Sequence, residues 1–243
     1  MKAIILAAGM ASRLRPLTDN RPKCLLEIGS RSLLQRTIDA LIANQINDLV
    51  IVTGYLHTQI EDFVASHYPN LPVTWIHNEH YESTNNIYSL WLAHAAVHDT
   101  DILLLDSDIL FDPQIISELL ASPYSNALVF NRHPLGEEEM KIVTDAHNRI
   151  TAISKTCSIE QAAGESTGIE KMSQSFVQLL FNELEKLIVG QQQTKVFYEV
   201  AFENLIREGA EMYAIDTTSL FSMELDTVED FQQAQQHIPA NLY

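Results

Sequence analysis

Three short strings, far apart in the chain, carry side chains suited to phosphate and metal chemistry. The first, Ala7-Ala8-Gly9-Met10-Ala11-Ser12-Arg13-Leu14-Arg15-Pro16, is followed by Arg21-Pro22-Lys23. Small residues at 7–9 and 11 let backbone N–H groups approach a phosphate closely, and Arg13 and Lys23 can neutralise charge that the backbone cannot. It is neither a Walker A loop nor a dinucleotide fingerprint, because Gly-Lys-Ser/Thr and G-x-G-x-x-G are both missing. A glycine and an arginine alone would suit an ordinary turn equally well. The second string, Asp106-Ser107-Asp108, ends an aliphatic run. Its two carboxylates are expected to divide the work, one facing a cleft and the other capping the following turn. A hard cation such as Mg²⁺ takes one or two carboxylates and completes its shell with water and phosphate oxygens, which suits this pair; an Asx turn is the plainer reading. The third string, Asn78-x-x-Tyr81-x-x-x-Asn85-Asn86-x-Tyr88-Ser89-Leu90, offers amides that both donate and accept. Asn86 also stands where a helix would begin, so N-capping is its competing role.

For these strings to meet, the elements between them must deliver them to one edge of a sheet. Lys2 to Ala8 reads as a buried strand, and residues 9–30 as a loop. Ser32 to Ala43 has apolar residues at helical spacing. Strands are expected at Asp48–Thr53, Val73–His77 and Asp101–Leu105, with helices over Thr58–His67 and Asn86–Val97. Alternating strand and helix predict a parallel sheet covered on both faces. Beyond residue 125 the rhythm changes to short strands at 127–131, 141–144, 150–155 and 164–172, the second and third joined by a hairpin across Asp145-Ala146-His147-Asn148. An amphipathic helix from Ser175 to Gly190, a helix over 196–208, strands at 211–215 and 220–225, and a closing helix over 227–237 complete the chain. Thr227-x-x-Asp230 resembles a capping box. The whole is expected to be one α/β domain, residues 1–125 forming a nucleotide-binding half and residues 126–243 an acceptor-binding half that returns a closing metal ligand. In such sheets ligands sit beyond the carboxyl ends of the strands, where all three strings fall.

Charge sharpens the picture. The 243 residues carry 15 basic and 32 acidic side chains, a net of −17, which argues against nucleic-acid binding. Yet residues 1–36 hold seven basic against two acidic residues, a net of +5. Positive charge concentrated in an acidic chain can focus a small anion, although solvated surface charge would give the same count. Eight glycines and eight prolines leave no room for a long linker, no apolar run reaches the roughly 20 residues of a membrane span, and the amino-terminal apolar stretch is short for a secretory signal. These features, with only Cys24 and Cys157 as thiols, suggest a cytoplasmic protein, and leave room for a homo-oligomer. Cys24 is read as a buried thiol. His94 and His98 lack the neighbouring glutamate and third ligand of a zinc protease.

The string Leu6-Ala7-Ala8-Gly9-x-x-x-Arg13-Leu14-x-Pro16, with Pro22-Lys23, resembles the signature of nucleotidyltransferases that activate sugar phosphates and small alcohol phosphates. The chain departs from it at Ala11, where a second glycine is usual. The Asn78 to Leu90 string is similar to that of cytidylyltransferases acting on phosphocholine and related amino-alcohol phosphates or phosphonates. The resemblance implies a three-layer, Rossmann-like (GT-A-like) fold with a mixed, mainly parallel sheet. It implies that Leu6 to Gly9 wrap the nucleotide, that Arg13 holds the β,γ-phosphates, and that Lys23 lies near the α-phosphate and the acceptor phosphate. It makes Asp108 a Mg²⁺ ligand and Asp226, in Glu224-Leu225-Asp226, its partner, with Asp106 beside the nucleotide. Asn85 or Asn86 would then meet the cytosine edge, with Asn78 also at the nucleotide, and Gly164-Glu165-x-x-Gly168-Ile169 and Val196-Phe197-Tyr198-Glu199 would close over the acceptor.

The implied reaction joins CTP to a small phosphate or phosphonate and releases pyrophosphate. A quaternary ammonium on that acceptor would ask for aromatic faces, with Tyr88, Trp91, Tyr198 and Phe202 as candidates; a primary ammonium would ask for carboxylates, with Glu165 and Glu199 as candidates. Trp91 and Phe202 also fall on apolar helix faces. Lys141 and Lys155 could reach the acceptor phosphate or lie on a solvated strand edge. A sugar-1-phosphate nucleotidyltransferase using another NTP is the alternative. A non-catalytic nucleotide-binding domain would be expected to lack a carboxylate or the lysine. A glycosyltransferase would not need the Gly9 to Lys23 loop.

Overall fold

A computed structural model describes every residue except Asn241 and Tyr243. The chain runs β1 (Lys2–Ala7), β2 (Glu27–Ile28), β3 (Arg31–Ser32), α1 (Leu33–Ala43), β4 (Leu49–Thr53), α2 (His57–His67), β5 (Val73–His77), α3 (Asn86–Leu92) and α4 (His94–Val97). It continues with β6 (Ile102–Asp106), β7 (Ile109–Phe111), α5 (Gln114–Ala121), β8 (Ala127–Asn131), β9 (Lys141–Thr144), β10 (Ile150–Ser154) and β11 (Gly164–Met172). The last elements are α6 (Gln174–Glu185), α7 (Glu199–Arg207), β12 (Tyr213–Asp216), β13 (Ser222–Glu224) and α8 (Val228–His237).

Nine strands form one mixed sheet in the order β10-β9-β11-β6-β1-β4-β5, with β8 along the other side of β11 and β12 beyond it. Strands β6, β1, β4 and β5 are mutually parallel, as the strand–helix alternation requires, and β11 runs antiparallel to β6, β8 and β9. The expected mixed sheet with flanking helices is therefore present. Alternation along β1 shows how both faces are covered. Ile4 and Leu6 join the cluster of Leu90, Phe176, Leu180 and Phe202 from α3, α6 and α7, whereas Ala3, Ile5 and Ala7 join Leu34, Ile38, Ile60 and Ile115 from α1, α2 and α5.

Several expected boundaries shift. The helix expected over 86–97 breaks at Ala93 into α3 and α4. The one expected over 175–190 ends in a wider π turn at Lys186–Gly190. Strand β7 and helix α5 were not expected, and β7 pairs antiparallel with β13 outside the main sheet. The hairpin joining β9 and β10 and the Thr227–Asp230 capping box form as expected.

Candidate active site

The carboxyl ends of β1 and β6 open onto a cleft of about 790 Å³. One wall of it is the loop after β1. Leu14 is fully buried and anchors this loop, while its neighbour Arg13 is left exposed. Ala11 adopts φ 46°, ψ 53°, the left-handed region that glycine enters freely, so the departure from the usual glycine falls on a position whose backbone favours one. The Tyr55 hydroxyl lies within hydrogen-bond distance of the carbonyls of Thr18 (2.9 Å) and Asp19 (2.8 Å), sharing its one proton between them, and the Tyr55 N–H donates to Ala8 O (3.0 Å), tying the loop to the end of β4. Gly54 makes this close approach feasible: a Cβ there would lie 2.7 Å from Ala8 O.

Lys23 rises from a short 3₁₀ turn whose next residues, Cys24 and Leu25, are buried. Its Nζ donates to Asp108 Oδ2 at 2.9 Å and to Asp226 Oδ1 at 2.8 Å, and Arg13 donates to Asp226 Oδ2 at 2.5 Å. Residues more than 200 positions apart meet because β13 pairs with β7, setting Glu224 opposite Ile109 immediately after Asp108. The Leu225 N–H then donates to Asp108 O (3.1 Å). Asp226 is held from its other side by α8: Asp230 Oδ2 accepts from the N–H groups of Asp226 (3.1 Å) and Thr227 (2.7 Å). The capping box that starts the helix therefore also positions the site carboxylate.

The electrostatics follow from this crowding. Burial disfavours the Lys23 ammonium, but Asp108 and Asp226 outweigh it and raise its pKa. Burial likewise works against the Asp226 carboxylate, but Lys23 and Arg13 prevail and hold it below the ordinary range. Glu224 is largely exposed as a residue, but desolvation at its carboxyl and the two neighbouring aspartates work against its charge and push it up to about 8. Oxygens of Asp108, Glu224 and Asp226 lie within 4.8 Å of one another, and this hard-oxygen set fits a divalent cation; the Lys23 ammonium between two of them shows that the pocket accepts positive charge.

Leu6, Ala7, Ala8, Gly9, Arg13, Lys23, Asn78, Asn85, Asn86, Asp106, Asp108, Glu165, Glu199 and Asp226 all line this cleft. Both Asp106 and Asp108 do so, correcting the expected division between cleft and turn: Asp106 ends β6, and the turn at Ser107–Asp108 brings the second carboxylate to the same cleft. Asp106 is half-buried, and desolvation followed by Asp108 raises its pKa well above the ordinary range. The cap of α3 is Asn85, not Asn86: its Oδ1 accepts from the Asn86 N–H at 2.8 Å. Asn78 spends its amide internally on His80, Thr84 and Ser89, and Asn86 Oδ1 accepts from the Tyr198 N–H (3.0 Å).

Three residues expected at the acceptor are elsewhere. Lys141 is buried, and its ammonium donates to the carbonyls of Gly136 (3.0 Å) and Glu139 (3.2 Å), because an enclosed lysine must spend its donors on loop carbonyls. Tyr88 packs half-buried against Trp91. Tyr198 is fully buried, its hydroxyl 3.2 Å from both Asp106 Oδ2 and Glu170 Oε1. Gly168 lines the cleft with Glu165, as expected of that stretch, whereas Ser166, His133 and Asp230 line it without having been singled out for it. Nothing in their local spacing distinguishes His133 or Ser166, whereas the capping box had already marked Asp230.

Comparison with known proteins agrees with this architecture. The chain is 26% identical over 237 residues to the choline-phosphate cytidylyltransferase of Streptococcus pneumoniae, covering 97% of each protein. It is 24% identical over 249 residues to the CMP-5'-(3-aminopropyl)phosphonate synthase of Streptomyces rubellomurinus, covering 96% of this chain but 38% of that longer protein. Among solved structures, the CTP:phosphocholine cytidylyltransferase of S. pneumoniae superposes with a TM-score of 0.78 at 23% identity, over 98% of this chain and 99% of that one. Residues 3–178, from the first strand into the sixth long helix, match the MobA-like NTP transferase domain, and the chain belongs to that family.

Proposed function

We propose that this protein is a cytidylyltransferase that transfers CMP from CTP to a small phosphate or phosphonate acceptor and releases pyrophosphate. The observation that carries the reading is the cluster in which Lys23 joins Asp108 and Asp226 beneath the loop bearing Arg13. Similarity to cytidylyltransferases along nearly the whole chain supports CTP as the donor.

An acceptor oxygen attacks the α-phosphorus in line, a new P–O bond forms, and the bond to the β-phosphate breaks with its electron pair leaving on pyrophosphate. The nucleophile is already anionic, so positioning and charge compensation matter more than a general base. Lys23 stabilises charge on the α-phosphate oxygens, Arg13 holds the departing pyrophosphate, and the backbone of residues 7–11 orients the triphosphate. Asp108 and Asp226, with Glu224 beside them, would hold Mg²⁺, which supplies charge neutralisation to the phosphates when bound. With those carboxylates committed to the ion, the Lys23 and Arg13 side chains are free to turn to phosphate.

Pyrophosphate release measured with each NTP against phosphocholine, 2-aminoethylphosphonate and hexose 1-phosphates tests the reading. Turnover with CTP and a small phosphate or phosphonate is expected. Preference for another NTP with a hexose 1-phosphate would establish the sugar-nucleotide alternative instead.

A further inference from the structure

The floor of the cleft contains polar atoms that the protein does not satisfy. Glu199 Oε2 and Ser166 Oγ are enclosed and have no hydrogen-bond partner; their residues are 7% and 8% exposed, and both line the cleft. A buried polar atom left without a partner is costly, the more so when charged, so these atoms mark places where a ligand's polar groups are expected: the carboxyl oxygen calls for a donor, and the serine hydroxyl can accept or donate. Behind them the Tyr198 hydroxyl stands between Asp106 and Glu170. A phenol has one proton and can donate to only one of the two carboxyls. Glu170 Oε2 is itself unpartnered. Two carboxyl groups, Glu199 and Asp106, thus line the cleft here with a third, Glu170, enclosed behind them, while the Lys155 ammonium that acts on Glu199 is turned to the Phe197 ring.

We propose that the acceptor substrate carries a primary ammonium group, seated on Glu199 and Ser166 beside Asp106. A primary ammonium brings one positive charge and three N–H donors to these unpartnered oxygens. A trimethylammonium brings the charge without the donors and is bound through aromatic faces. Those faces are turned elsewhere. Tyr198 and Phe202 are buried in the core, Tyr88 and Trp91 pack against it, and the Phe197 ring that reaches the cleft has the Lys155 ammonium 4.6 Å from its centroid. Tyr81 also reaches the cleft but leans on Gly54 beside Ala8, at the nucleotide end. This inference rests on the cytidylyltransferase reading and narrows its acceptor.

The test is steady-state pyrophosphate release by the full chain with CTP and Mg²⁺ across matched acceptors. These are 2-aminoethylphosphonate, its N,N,N-trimethyl derivative, and propylphosphonate, in which a methyl group replaces the ammonium. The kcat/KM of the primary amine should exceed that of the trimethyl compound by about 10-fold or more, and that of propylphosphonate by about 100-fold or more. Glu199→Gln should lower kcat/KM for the amine by about 10- to 100-fold, mainly through KM, and shrink its advantage over propylphosphonate, with the KM for CTP changed by less than about twofold. Ser166→Ala should act in the same direction, more weakly. Equal use of propylphosphonate, or equal or better use of the trimethyl compound, overturns the ammonium seat and leaves the cytidylyltransferase reading standing. Turnover of a hexose 1-phosphate with another NTP, and of none of these acceptors with CTP, overturns both.

Discussion

Lys23 and Cys24 are adjacent, and their environments predict opposite behaviour. Among the described residues, Lys23 is the one whose side chain hydrogen-bonds to both site aspartates, so Lys23→Ala should lower kcat by about a thousandfold or more, the scale seen when a charge-stabilising group is removed. Lys23→Arg should keep the compensating charge and the thermal midpoint but recover little of the rate, because a planar guanidinium cannot replace a compact ammonium between two carboxylates. A Lys23→Ala protein with near-normal turnover would remove the lysine from the mechanism. Cys24 is 2% exposed, and burial pushes its thiol up to about 12, leaving roughly one thiolate in ten thousand at pH 8. A colorimetric thiol reagent at that pH should titrate only the half-buried Cys157 in the native protein and both cysteines in denaturant. Rapid native labelling of two thiols would contradict the packing beneath the loop. The sequence marked the departure from glycine at Ala11 but not the left-handed backbone that makes it matter; the state of Lys141 was not legible, because its partners are carbonyls of a loop whose path no local pattern encodes.

At the scale of elements, β11 is the strand whose shape matters most to the cleft. It pairs with β8 along one side and with β9 and then β6 along the other, and its register against β8 shifts between Ser166 and Glu170. Gly168 sits in that irregularity at φ +69°, where a Cβ would lie 2.6 Å from Asp106 Oδ2. Gly168→Ala should therefore cost about 2 kcal/mol from the left-handed backbone and the crowded carboxylate, or roughly 4–8 °C in thermal midpoint. Activity should fall beyond what the lost folded fraction explains, because Asp106 must move. A variant with unchanged midpoint and rate would show that β11 relaxes freely. The long strands and amphipathic helices were legible because buried runs and helical spacing persist over many residues. Strand β7 is three residues long, too short to show a period, and α5 follows Pro113 so closely that it merges with the preceding turn. Missing β7 meant missing the pairing with β13, which explains physically why Glu224 and Asp226 arrive beside Asp108.

For the molecule as a whole, a net charge of −17 would repel a triphosphate were the charge uniform, but Arg13 and Lys23 stand at the cleft and set the local field. The more unusual feature is acidity held inside. Burial raises the carboxyl pKa of Glu170 well above its ordinary value, with Glu199 adding to the shift, and burial pushes Glu199 itself up from 4.5 to about 7. A raised carboxyl pKa means that the folded chain keeps a proton the unfolded chain has released. Its favourable contribution is thus fully present below about pH 4.5 and is lost as pH rises through 7. For Glu199 alone the loss is on the order of 3 kcal/mol, and Glu170 acts with the same sign. Thermal midpoints measured from pH 5 to 8 should therefore fall with pH in the parent protein and fall less steeply in Glu199→Gln. The two should lie close together near pH 5, and the variant should be more stable by several degrees above pH 7, since glutamine fills the same space without a proton to lose. Parallel profiles across that range would mean that Glu199 ionises in the folded protein as easily as in water, and that water reaches a carboxylate which the packing of α7 encloses.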